Sequence, residues 1–393
     1  MAATPRSQPY AGSALFSYGF RPFFLFGALF AALAVLAWLP AYFGEWTLPT
    51  AIAERDWHVH EMIYGYGSAT IVGFLLTAIP NWTGRLPLSG RPLIALTALW
   101  LAGRFAMALS RFIGAVPAAA LDLSFLAVVI GLVVRELRGG GQSHNRKVAV
   151  ALAVFWLGDL TFHIEAIAFG AADYGIRIGL AAILLLVMLI GGRIVPSFTR
   201  NWLARMNPGP LPSPPDRWDV AATVVAGLAL AAWIVAPQAP PVGVALAAAG
   251  AAQAARLARW RGWRAWRDRL VLVLHVAYAF IPVGFFLTAL SAFRLAPISA
   301  GEHAWAIGVI GGMTIAVMSR ASLGHTGRPL VASAAVQAVY ALILVAAIAR
   351  VGAALSTDWW FVGLHVAAFA WAAAFLGFAL LYWRVLVGPP KGG

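Results

Sequence analysis

The sequence predicts an all-α polytopic membrane protein of about twelve transmembrane helices, arranged as three pseudo-repeated four-helix units. Three observations predict it. Hydrophobic residues make up 62% of the 393 positions. Charged residues make up 11%, against roughly 25% in an average soluble chain. Apolar runs of the roughly 20 residues needed to cross a bilayer recur nearly from end to end.

Breaks at Arg, Pro and Gly delimit the spans in order. The first six lie near 20–43, 60–80, 92–110, 116–136, 148–169 and 174–197. Six more lie near 218–236, 241–258, 270–291, 303–322, 329–350 and 359–384. Residues 1–15 read as a short polar tail rather than a cleavable signal, and the first apolar run is long enough to span. The longest loop, about 198–217, carries Pro208, Pro210, Pro212, Pro214 and Pro215 and reads as a stiff linker. No Gly-rich loop opens a helix after a strand, so no nucleotide site is expected. The chain reads as one integral membrane domain with repeat units of about 1–138, 139–260 and 261–393.

Twelve spans place both termini on one side, and the basic residues identify that side. Of the 28 Lys and Arg residues, 22 fall on the terminal side. The densest group is Arg256, Arg259, Arg261, Arg264, Arg267 and Arg269. The positive-inside rule then predicts cytoplasmic termini. Glu45, Glu54, Asp56, Glu61, Glu165, Asp173, Glu302 and Asp358 all fall at the opposite face. The net charge of +14 resides in these short loops, which argues against a nucleic-acid partner and for a lipid bilayer. The absence of Cys excludes disulfides, thiolate metal sites, CxxCH haem attachment and cysteine catalysis.

A weak internal repeat runs through the chain. Span 2 ends in Thr83-Gly84-Arg85 and span 10 in Thr326-Gly327-Arg328. His60 precedes Thr83 by 23 residues, and His303 precedes Thr326 by the same 23. Span 6 ends in the shorter Thr199-Arg200, with Ile176 at the histidine position. Sites in repeat-built membrane folds tend to lie between repeats.

Ionisable side chains within a bilayer are costly and point to function. His144 sits in a polar loop and reads as solvated. His58, His60, His163, His303 and His365 lie near one face, and His275 and His325 near the other. In Trp57-His58-Val59-His60-Glu61, a helix would turn the two histidines roughly 200° apart, whereas an extended entry would let them chelate one metal. A capped interfacial turn is the third option. Imidazole suits copper, zinc and haem iron, and ligating histidines commonly donate to a carboxylate. Glu61, Glu302 and Glu165 each neighbour a histidine, and Asp159 reads as the one acid well inside a span. Asp159 and His163 can also simply pair at i,i+4. His275 and His325 read either as a second metal pair or as isolated polar contacts, and His365 as packing.

The stretch WHVHEMIYGY…GFLLTAIPNWTGR (57–85) resembles the signature of the NnrS family. So do FRPFFLFGALFA (20–31), GGRIVPSFTRNWL (191–203), LHVAYAFIPVGF (274–285) and GGMTIAVMSRASLGHTGRPL (311–330). The resemblance implies a haem- and copper-containing protein of the bacterial inner membrane that serves the nitric oxide response, often alongside denitrification. More distantly the chain resembles the haem–copper oxidase catalytic subunit, whose low-spin haem lies between histidines on helices 2 and 10. That likeness implies one haem b between His60 and His303. A second haem or metal, with an open position for nitric oxide, would be built from His58 and His163, with Glu165 and Asp159 moving protons. Copper would fall to His275 and His325. Spans 6 and 7 carry no histidine, so the oxidase copper ligands have no counterpart. The expected function is oxidoreduction of nitric oxide or its iron adducts, with electrons from quinol or another membrane donor. A copper transporter and a non-catalytic haem sensor or buffer of nitric oxide remain alternatives.

Overall fold

The computed structural model describes residue 10, residues 12–139 and residues 146–389. His144 lies outside the described residues. Among them every regular element is helical. The long helices are α1 Phe20–Tyr42, α2 Glu54–Thr83, α3 Arg91–Ala108, α4 Ala115–Gly139, α5 Arg146–Phe169 and α6 Tyr174–Met206. They continue with α7 Arg217–Val235, α8 Pro240–Arg259, α9 Arg269–Ala292, α10 Ile298–Gly324, α11 Ala334–Leu355 and α12 Trp360–Val387.

Eleven helices among the described residues are long and apolar enough to cross a bilayer. The chain is therefore an all-α polytopic membrane protein. The expected third span forms as α3, an 18-residue helix that falls outside those eleven. Arg91 and Arg104 lower its apolar character, and Arg104 turns out to have a specific use.

The helix boundaries follow local chemistry. Gly84, in the left-handed region at φ 68°, closes α2, and its N–H bonds the Pro80 carbonyl. Asp216 opens α7 with a capping box, its side chain accepting from the Trp218 and Asp219 backbone N–H groups. Asp268 caps α9 in the same way, through Leu270 and Val271.

Two compact units divide the chain. The first comprises residues 1–182, 321–328 and 379–393, and the second residues 183–320 and 329–378. In the first unit, Arg21 on α1 donates to the carbonyls of Leu386 (2.9 Å) and Gly388 (2.7 Å), closing the C-terminal end of α12. A cation there meets the negative end of the helix dipole.

In the second unit Arg256 departs from expectation. It belongs to the arginine-rich stretch, yet it is buried and faces the other helices. Its Nε donates to Asp219 (3.0 Å), and its Nη1 to the Met188 carbonyl and the Tyr278 hydroxyl (both 3.1 Å). Tyr278 in turn donates to Gln253 (2.8 Å). Gly192 makes the room, since a Cβ there would lie 2.1 Å from the guanidinium. A buried cation persists when its donors are satisfied in this way.

Two helices share an unusual feature. In α2 a π-helical segment, Glu61–Tyr66, begins directly after His60. In α10 a π-helical segment, Ala304–Gly311, begins directly after His303. Such insertions are rare and concentrate at functional sites.

Candidate metal centre

His60 closes the first α-helical stretch of α2 and is fully buried. Its Nδ1–H donates to the adjacent Glu61 Oε1 (2.9 Å). Its Nε2 lies 3.1 Å from Asp159 Oδ1 on α5 and 3.1 Å from Asp122 Oδ2 on α4. His163, one turn beyond Asp159, brings its own Nε2 to 3.0 Å from Asp122 Oδ2 and 3.7 Å from Asp159 Oδ1. Each of the four residues thus offers one atom, all lying within 4.8 Å of one another. Among the described residues this is the one group of three or more His, Asp, Glu or Cys side chains placed to share an ion.

Arg104 supports the cluster from α3. Its Nη1 donates to Glu61 Oε2 (2.6 Å), and its Nη2 contacts Asp122 Oδ1. One guanidinium therefore holds a carboxylate on α2 and another on α4. Gly65 permits the reach across α2, because a Cβ there would lie 2.5 Å from Arg104 Nη1 and 2.9 Å from Glu61 Oε2. The π-helical turn also presents the Gly65 carbonyl sideways, where it accepts from Trp100 Nε1 (2.9 Å). Tyr64 backs the His60 ring at 5.5 Å and donates to the Gly175 carbonyl (2.6 Å). Gly158 and Gly179 leave space for that hydroxyl.

With both imidazoles neutral, the charges of this cluster do not balance among the described residues. Glu61, Asp122 and Asp159 bring three carboxylates, and Arg104 brings the one guanidinium that touches them. Buried carboxylates this close repel strongly in a low-dielectric interior. A divalent cation among the two imidazole nitrogens and two carboxylate oxygens would cancel the excess. The donor set is one that could hold a metal ion, since imidazole nitrogen with carboxylate oxygen suits first-row transition ions. The second sphere is also in place, with His60 donating its other ring N–H to Glu61. A porphyrin does not fit at His60. Its Nε2 faces Asp122 and Asp159 at 3.1 Å each, a spacing that suits an ion among the side chains but leaves no room for a macrocycle.

The cluster gathers His60, His163 and Asp159 from the expected residues and leaves others elsewhere. The expectation paired His163 with His58 and set both apart from His60. Instead His163 lies against His60, ring centroids 5.0 Å apart. His58 is on a true helical turn, so it points away from His60 and stacks on Trp38 of α1 at 4.0 Å. Glu165 is half-buried and caps the start of α6, accepting from the Tyr174 N–H (3.0 Å) and Gly175 N–H (2.8 Å).

His303 is half-buried, and its Nδ1–H donates to the Ser299 carbonyl (2.7 Å). His365 makes the same i,i−4 contact with Phe361 (2.8 Å). His275 is buried against the Thr199 hydroxyl (2.8 Å) and the edge of Trp260. His325 lies beside the rings of Tyr18 and Phe20, each 5.7 Å away.

Two residues of the centre escaped sequence reading. Asp122 stands eight residues into α4, so Asp159 is not the one acid inside a span. Arg104 stands deep in α3. The signal for both was the same cost argument that singled out the histidines, a lone charge inside an apolar run.

The family model described as NnrS protein matches residues 14–389, nearly the whole chain. No curated protein matches the chain.

Proposed function

Because this chain belongs to the NnrS family, we propose that it acts on nitric oxide at a resident divalent ion, copper or iron, held by His60, Asp122, Asp159 and His163. The observation that carries this reading is the convergence of those four buried side chains, with an excess of negative charge around them. A redox-active ion of this type supplies an open coordination position for a diatomic and a one-electron couple.

The surrounding residues have separable tasks. Glu61 accepts the Nδ1–H of His60, which directs the lone pair of Nε2 toward Asp122 and Asp159. Arg104 fixes the second oxygens of Glu61 and Asp122, and offsets part of their charge. Asp159 and His163 lie one helical turn apart, so α5 delivers two donors from one face. Phe162 packs on the His60 ring at 4.8 Å and excludes water from that side. The burial of all four donors favours a resident ion over a transported one, since cargo must leave.

In this reading the protein sits in the bacterial inner membrane with cytoplasmic termini, as the Lys and Arg distribution suggests. The centre then lies toward the outer face, and electrons come from quinol or a membrane partner.

The test is metal analysis of the detergent-purified protein, with optical and spin-resonance spectra recorded with and without nitric oxide. One copper or iron per chain, a spectrum that changes with nitric oxide, and loss of both in Asp122→Asn are expected. Full metal content in Asp122→Asn and His163→Ala would refute the assignment.

A further inference from the structure

The helix pair that supplies Arg104 and Asp122 also encloses a groove. α3 and α4 run antiparallel, and between them lies a cavity of about 580 Å³, within the roughly 300–1,000 Å³ typical of ligand sites. Its walls are apolar, formed by Leu96 and Leu99 of α3 with Val128 and Leu132 of α4. The groove continues past Leu88 toward Leu76 and Ile79 of α2.

One end is polar and carries an excess of positive charge. Arg85 Nε lies 3.0 Å from Glu136 Oε2, and Arg135 Nη2 donates to Glu136 Oε1 (3.2 Å). One carboxylate is thus shared by two guanidiniums. Arg91, at the start of α3, and Arg138, at the end of α4, stand exposed at the same end. An apolar trough with a net basic mouth at a helix end is the form of a headgroup pocket for an anionic lipid.

We propose that this groove is a binding site for an anionic phospholipid. An acyl chain lies along Leu96, Leu99, Val128 and Leu132, and the phosphate rests on Arg85 and Arg135. A neutral quinone head would leave the excess of guanidinium charge unmatched. The bound lipid would brace the two helices that carry Arg104 and Asp122. Val128 stands six residues from Asp122, about 9 Å of helix rise.

Native mass spectrometry of the detergent-purified full chain tests the proposal, with phosphatidylglycerol or phosphatidylcholine added at equal concentration. The wild type is expected to retain phosphatidylglycerol preferentially, by about fivefold for each guanidinium engaged. The double variant Arg85→Gln/Arg135→Gln should lose roughly 30-fold in phosphatidylglycerol retention and fall to the phosphatidylcholine level. Leu132→Trp fills the trough without changing any charge and should exclude both lipids. Equal retention of the two lipids by the wild type overturns the proposal. So does a preference that survives the double variant, or co-purified quinone displaced by Leu132→Trp. Circular dichroism establishes that each variant is folded. Should the double variant fail to fold, persistence of the wild-type preference at high salt is the overturning result, because exposed charge pairing is screened there.

Discussion

His60 Nε2 and Asp159 Oδ1 meet at 3.1 Å although 99 residues separate them in the chain. The contact joins α2 to α5 at a point buried from all sides, where neither partner has solvent to fall back on. The two atoms are within hydrogen-bond reach, but a second carboxylate also lies 3.1 Å from the same nitrogen, so one proton would have to serve two acceptors, a shortfall a cation would make good.

Removing a direct donor should remove the ion. His60→Ala, His163→Ala and Asp159→Asn are each expected to purify with little bound metal. His303→Ala should keep the ion, because His303 is not one of the four donors. Elemental mass spectrometry of the purified proteins checks this, and ion loss in His303→Ala alone would contradict it.

Glu61→Gln separates orientation from ligation. The amide keeps one acceptor oxygen for the two donors that Glu61 serves, His60 and Arg104, and no longer carries charge. Metal affinity should fall about 10- to 100-fold, as for other outer-sphere partners of ligating histidines. Competition titration against a chromophoric chelator measures it.

Arg104→Gln leaves two buried carboxylates without their cation. Loss of one partner from a buried ion pair costs about 3–5 kcal/mol. A large fall in melting temperature in detergent is expected for the metal-free protein, and a smaller one once metal is restored. Equal losses in the two states would show that the ion does not share the task of neutralising these carboxylates.

Gly65→Ala should act through the same pair, because its methyl would occupy the path of the guanidinium. Overpacking of this kind costs about 1–3 kcal/mol. Its effect should be much reduced in the Arg104→Gln background, which a double-mutant cycle of melting temperatures would reveal.

Asp216, the N-cap of α7 and outside the spans, accepts from the Arg259 guanidinium at the end of α8, which holds its carboxyl well below the usual carboxylate range. A pKa lowered in the folded state contributes stability above the unfolded value of about 4, and that stability is lost as pH falls. The melting temperatures of wild type and Asp216→Asn should therefore differ most above about pH 4 and draw together as pH falls from there toward the lowered folded-state pKa.

Much of the candidate centre was legible residue by residue. His60, His163 and Asp159 stand out because each is a polar intrusion into an apolar run, and that cost is visible without coordinates. The geometric alternatives for His58 and His60 were legible too, and the helical one is what forms. Asp122 and Arg104 bear the same mark but lack a histidine beside them, so no neighbour drew attention to them. Glu165 sits two residues from His163, yet turns to the α6 terminus, where two backbone N–H groups hold it away from the cluster.

The sequence by itself determined the class, the order and approximate placement of the helices, and the family, because apolar run length and local motifs are properties of contiguous residues. It also determined which residue types were available to hold an ion. Only the tertiary structure decided which of them meet. The centre draws His60, Arg104, Asp122, Asp159 and His163 from α2, α3, α4 and α5. Which faces of those helices oppose one another depends on packing, through glycines such as Gly65 and Gly158 that set how closely they approach. That is why His163 found His60, and why a single arginine came to hold two carboxylates from different helices.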